Sequence, residues 1–188
     1  MLLNQVKINN YKGERHKIES DKLLCKSFTV WEGTINVDAT VLAVDPGINF
    51  GLTLIKKGKV YCVSGKIEPC EPSLERACRI PSVVREILYL VGGDKASTLE
   101  APPVPSGCIG AIEGSAFNKH YRQTLLAEVR MGFYLAIRRY SRELPKVIPP
   151  MTARKLATGS GKEPVYLKYP LMNPNAADSL GIAIAAIS

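Results

Sequence analysis

Residues 40–67 read TVLAVDPGINFGLTLIKKGKVYCVSGKI, and this run constrains the fold more than any other. Val41–Val44 is a short β-branched strand stopped by Asp45-Pro46-Gly47, a turn built from a residue of fixed φ and a permissive one. Gly51–Ile55 resumes as a strand, Lys57-Gly58-Lys59 turns it, and Val60–Val63 returns. The expected unit is an antiparallel meander of three strands.

From Leu74 onward the chain alternates between helical and strand periodicity. Leu74, Ala77, Val84, Ile87, Leu88 and Val91 recur at helical spacing, so a helix is expected over Leu74–Val91. A Pro- and Gly-rich loop over 93–107 leads to CIGAIEG, a second short buried strand ending at Glu113. A long helix is expected over Asn118–Glu143, with Leu125, Val129, Phe133, Ala136, Ile137 and Tyr140 on one face. Lys119, Arg122, Arg130 and Arg138 fall largely outside that stripe. A strand at Lys146–Ile148, a short helix at Thr152–Ala157 and a closing apolar helix at Asn175–Ile187 complete a mixed-sheet α/β domain. Residues 1–39 are read as an N-terminal extension, with QVKINNY and KSFTVWEGTI alternating like strands: a hairpin added to a sheet edge, or an arm reaching a partner.

The chain has 188 residues, enough for one domain with a sizeable core, and 46% of them are hydrophobic, which excludes a disordered chain. No run approaches the roughly 18 apolar residues of a membrane span. The N-terminal residues turn polar without an apolar signal core, so a cytoplasmic protein is expected. Five cysteines with no C-x-x-C pair suit reduced thiols, and two histidines leave little for a zinc site of Cys and His.

The net charge of +8 is localised. Residues 1–39 carry 6 Lys/Arg against 5 Asp/Glu, and residues 40–113 carry 8 against 8. Residues 114–169 carry 11 against 3, so the excess lies in one stretch between two acidic motifs. A concentrated basic surface suits a polyanion, because each phosphate neutralised releases condensed counterions.

Three acids stand at element ends: Asp45 closes the first core strand, Glu113 closes the next, and Asp178 lies in the first turns of the last helix. If the two strands are neighbours, their carboxylates meet. Clustered acids repel unless a divalent cation neutralises them, and an oxygen donor set suits Mg²⁺ or Mn²⁺. Each feature has a plainer explanation. Asp-Pro-Gly is a common turn, a strand-end Glu can be an ion-pair partner, and Asn175 with Asp178 three residues on is a respectable helix start with Asn as N-cap.

AVDPGINFGLTLI, AIEGSAF, VIPPMTARKLATGSGK and NPNAADSLGIAIAA succeed one another in an order and spacing that resemble RuvC-type Holliday junction resolvases, over about Leu42–Ala186. The extension and compact form look more like a bacteriophage version, acting in the cytoplasm of a bacterial or phage-infected cell. The resemblance implies a ribonuclease-H-like fold whose mixed five-stranded sheet has three antiparallel strands, then two parallel ones, flanked by helices. It implies an endonuclease that cuts four-way DNA junctions by paired symmetric nicks, as a homodimer formed through the helix around Leu125–Tyr140. The cofactor implied is Mg²⁺ or Mn²⁺, two ions per site. Asp45, Glu113 and Asp178 match the catalytic, metal-holding acids. Arg154, Lys155 and Lys162 fall at the family's DNA-contacting positions, and Phe117, Lys119 and Arg122 are further DNA-binding candidates.

Two departures stand out. EPVYLKYPLM, after Lys162, is short and Pro-interrupted where the family has a helix. Asn175 stands where the family's D-x-x-D pattern has its first Asp, the fourth catalytic and metal position. An amide oxygen can coordinate a metal but brings no charge and cannot act as a base. Three readings stay open: an Asp replaced by Asn to disable the site, a working Asn ligand with another acid nearby, or a protein that binds junctions without cutting. Related alternatives are a transposase or RNA-processing nuclease of the same fold. A sugar-kinase-like or actin-like ATPase, suggested by DPGINFGLT, needs a duplicated domain and more chain.

Overall fold

The computed structural model describes residues 5–10, 12–19, 23–68, 73–92, 107–114 and 123–188. The meander forms as expected: β4 (Val41–Asp45), β5 (Asn49–Lys56) and β6 (Lys59–Lys66) pair antiparallel in sequence order. Lys57 and Gly58 both take positive φ, 52° and 73°, the conformation a two-residue hairpin turn needs to match strand twist. β4 is buried along its whole length up to Asp45, because both faces of the sheet are covered.

After helix α1 (Ser73–Gly92), β7 (Ile109–Glu113) lies parallel to β4, with Val44 opposite Ile112. Helix α2 (Gln123–Arg138) leads to β8 (Lys146–Ile148), parallel to β7. This gives the three antiparallel and two parallel strands expected. The sheet is wider than five strands, however, because residues before 40 add three more: β1 (Lys7–Ile8), β2 (Glu14–Lys17) and β3 (Ser27–Thr34). The order is β1-β3-β6-β5-β4-β7-β8, with β2 also on β3.

β3 pairs with β6 through seven residue pairs, so the extension is continuous with the sheet. β1 and β2 share the other edge of β3, end to end. The break between them is bridged by Asn10, whose side-chain amide donates to the Val30 carbonyl at 3.0 Å and whose Oδ1 accepts from the Glu32 N–H. A side chain thus stands in for the missing ladder bonds, which would otherwise leave β3 backbone groups unpaired.

Helices α1 and α2 cover one face. Phe28, Phe50, Leu52, Ile80, Val84, Ile87, Val129 and Phe133 share that core, and the Phe50 and Phe133 rings lie 5.1 Å apart. The α2 stripe is used here: Val129, Phe133, Ala136 and Ile137 are fully buried. The outward side of α2 leaves Leu126, Met131 and Leu135 exposed.

Helix α3 (Pro150–Thr158), a 3-10 turn (Val165–Lys168) and helix α4 (Pro174–Ile187) cover the other face. The 3-10 turn occupies the Pro-interrupted segment, where prolines on both sides leave no room for a longer helix. α4 is apolar nearly all round, with ten buried residues, and its Gly181 lets the 3-10 turn at Val165 and α3 at Ala157 pack close against it. Among the described residues no helix is long and apolar enough to cross a membrane.

Candidate active site

Two parallel neighbours ending at the same level bring Asp45 and Glu113 together. Their side chains hydrogen-bond, with Asp45 donating and Glu113 accepting. Burial pushes the Asp45 carboxyl up first, the Glu113 charge and that hydrogen bond push it further, and its pKa rises to about 8. Glu113 is also raised, mainly by burial, although accepting the Asp45 proton works the other way. Asp178 on α4 adds negative charge to both, and burial raises its own pKa.

α4 is set by three local features. Asn173 is its N-cap: its side-chain oxygen accepts from the Asn175 N–H at 2.9 Å. The cap is therefore two residues earlier than the Asn175 expected, because Pro174 suits the first helical position, where no N–H is needed. Gly51, the sheet partner of Asp45, lies so close to the Asn175 backbone carbonyl that a Cβ there would overlap it. Deeper in, the Thr53 and Ser179 hydroxyls pair at 2.8 Å and fix the helix on β5. Asn175 is thus held on β5, opposite Asp45 in the ladder, and its side chain is free of the capping duty.

Among the described residues, the positive charge reaching this cluster comes from Arg154 and Arg130. Arg154, on α3, lowers the pKa of all three carboxyls, and Arg130, on α2, lowers that of Glu113. Arg130 is a site residue that the sequence motifs do not mark; its signal is a basic position off the apolar stripe, on the helix that comes after Glu113. Lys155 and Lys162 are exposed on α3 and after it. The Lys162 N–H donates to the Ser160 hydroxyl at 3.3 Å, closing the turn of the Gly159-Ser160-Gly161 loop. Phe117, Lys119 and Arg122 lie outside the described residues.

The carboxylate oxygens of Asp45, Glu113 and Asp178 suit a hard divalent cation, and the proton held between Asp45 and Glu113 does what such a cation would do between two acids. Among the described residues no three Asp, Glu, His or Cys side chains are drawn tightly enough to cage an ion. The tight pair is Asp45–Glu113, and Asp178 acts on it through its charge.

No protein-family model matches the chain, and no curated protein does. Solved structures do. The fold is similar to that of Thermus thermophilus RuvC, at 21% identity and a TM-score of 0.50, covering 78% of this chain and 92% of that one. It is equally similar to T. thermophilus RuvC in complex with a Holliday junction substrate, at 23% identity and a TM-score of 0.50, covering 78% and 91%. The ribonuclease-H-like, RuvC-like fold is therefore the architecture of this chain.

Proposed function

We propose that the protein is a divalent-metal-dependent endonuclease that resolves four-way DNA junctions by paired nicks. The observation that carries this reading is the Asp45–Glu113 pair with Asp178 beside it, at the open ends of two parallel strands, flanked by Arg154 and Arg130. The basic excess over residues 114–169 supports a nucleic-acid substrate, and the RuvC-like fold supports the junction.

Asp45, Glu113 and Asp178 would hold Mg²⁺ or Mn²⁺, with the Asn175 amide oxygen as a fourth ligand. When bound, such ions acidify a water and stabilise the leaving oxygen of a phosphodiester. The chain's own residues prepare that chemistry. Asp45 gives up the proton it shares with Glu113, which frees both carboxylates. Arg154 offsets the remaining charge and stands ready for a substrate phosphate. Lys155, next to it on α3, and Lys162, in the loop that follows, are exposed and would extend the contact along the strand, as would Lys119, Arg122 and Phe117 from the sequence before α2. A two-fold assembly, which two symmetric cuts favour, would use the outward Leu126, Met131 and Leu135 of α2, since the inward stripe is already packed.

A second reading is a protein that binds junctions without cutting, favoured by the uncharged Asn175. The test compares this chain with its Asn175→Asp variant on a labelled four-way junction with Mg²⁺ or Mn²⁺. Symmetric nicks from the Asp variant alone mean a resolvase disabled at residue 175. Nicks from both mean that Asn is a working ligand. Binding without nicks from either removes the nuclease reading and leaves the binding protein.

A further inference from the structure

The N-terminal strands do more than widen the sheet. β3 runs antiparallel to β6, and β6 runs parallel to β4, so the start of β3 comes to the same sheet end as Asp45. Between that edge and the start of α4 lies an open groove of about 470 Å³. Arg15 and Lys66 supply its charge, Asn49, Ser64 and Asn173 supply hydrogen-bonding groups, and Asn175 stands at one end. Asn49 is the sheet partner of Lys66, while Asn175 packs on Gly51, the partner of Asp45, so groove and carboxylates adjoin.

The chemistry of the lining is one-sided. Two cations and a set of amides and hydroxyls face the groove, and no carboxylate is among its described lining residues. Arg15 is oriented by a hydrogen bond to the Ser27 hydroxyl at 3.2 Å, which leaves most of its donors for a ligand. The Asn173 oxygen is taken by the helix cap, which leaves its NH₂ as a donor. This is an anion site extended along an edge, next to acids that would repel the same anion unless their charge is balanced.

From this geometry we infer that the groove between β2, β3, β6 and α4 is a backbone subsite for a nucleic-acid strand, in which Arg15 and Lys66 neutralise phosphates flanking the one at the carboxylates. The inference rests on the nuclease reading for its substrate class. It also gives Asn175 a physical reason: an Asp there would set a negative charge at the mouth of a phosphate groove, whereas an amide can donate to the strand.

The experiment measures the affinity of the full chain for a four-way junction, a linear duplex and a single strand over a range of salt, in EDTA. Removing one phosphate-binding cation should lower the slope of log K against log salt by about 1. The Arg15→Gln/Lys66→Gln variant should therefore drop by about 2 units of slope, and Lys66→Gln alone, which keeps the Arg15–Ser27 bond, by about 1. Lys59→Gln, at the far end of β6, removes equal charge from an exposed position and should leave the slope unchanged. If the groove variants behave like Lys59→Gln while the parent binds junctions, the subsite is wrong and the nuclease reading stands. If the slopes differ on duplex or single strand while the junction shows no preference, the junction reading falls and the subsite stands. If the parent binds no nucleic acid at all, both fall.

Discussion

Asp45 donates a hydrogen bond to Glu113 across two parallel strands, and that shared proton is the most informative contact in the molecule. It places two acids where only one negative charge is comfortable. Either a proton or a metal ion must sit between them, and pH decides which is available.

The first consequence is for stability. An unfolded Asp ionises near pH 4, whereas folded Asp45 holds its proton up to about 8. Between those values the folded state binds more protons than the unfolded one, so stability falls as pH rises through that window. Glu113 and Asp178, also raised, act in the same direction. Metal-free protein in EDTA should melt at a lower temperature at pH 8 than at pH 5. Asp45→Asn should narrow that difference; a variant whose pH profile runs parallel to the parent's would show that the pair carries no such strain.

Metal should relieve the same strain. At pH 8, adding Mg²⁺ or Mn²⁺ should raise the melting temperature, with about 2.7 kcal/mol expected at a hundredfold excess over Kd. Asp45→Asn should lose most of that gain and all cutting, while junction affinity in EDTA stays within a few-fold. Calorimetric scans with and without metal, beside a binding titration, separate these effects. Retained cutting by Asp45→Asn would remove Asp45 from the catalytic set.

The way α4 is held can be tested without activity. Gly51→Ala puts a methyl into the Asn175 carbonyl, so α4 or β5 must shift, at a cost of about 1–3 kcal/mol. Asn173→Ala removes the cap and should cost about 1 kcal/mol. Asn175→Ala, by contrast, leaves the cap bond intact because only its backbone N–H takes part, and should cost little. Urea titrations of the three variants check the order; an Asn175→Ala as costly as Asn173→Ala would mean its side chain is structural.

These contrasts show where the sequence was legible. β4 and β5 could be read because strands buried on both faces leave continuous apolar runs, and the turns after them use Asp-Pro-Gly and Lys-Gly. The meeting of Asp45 and Glu113 came from the motif order and needed only the strand pairing to be right. The edge strands were harder, because Asn10 repairs the ladder with a side chain and no local pattern announces that. The groove was illegible: Arg15, Asn49, Lys66 and Asn173 converge only through the placement of β3 beside β6. In Asn-Pro-Asn, two residues compete for one cap, and the preference of Pro for the first helical position decides for Asn173.

Arg154 offers the sharpest separation of electrostatics from simple DNA contact. Its charge lowers the pKa of Asp45, Glu113 and Asp178, whereas Lys155, one residue on, is exposed to solvent. Both lie on α3 and both can meet a phosphate. Arg154→Gln and Lys155→Gln should therefore each lower the salt slope of junction binding by about 1. Only Arg154→Gln should move the ionisation of the acid cluster to higher pH, since the acids then lack their main compensating charge. Carboxyl-carbon NMR titration of the metal-free protein reads that shift directly. The cleavage profile of an active form should move to higher pH with it, because Asp45 must release its proton before both carboxylates are free. Equal titration curves for the two variants would place Arg154 with the surface lysines as a phosphate contact alone.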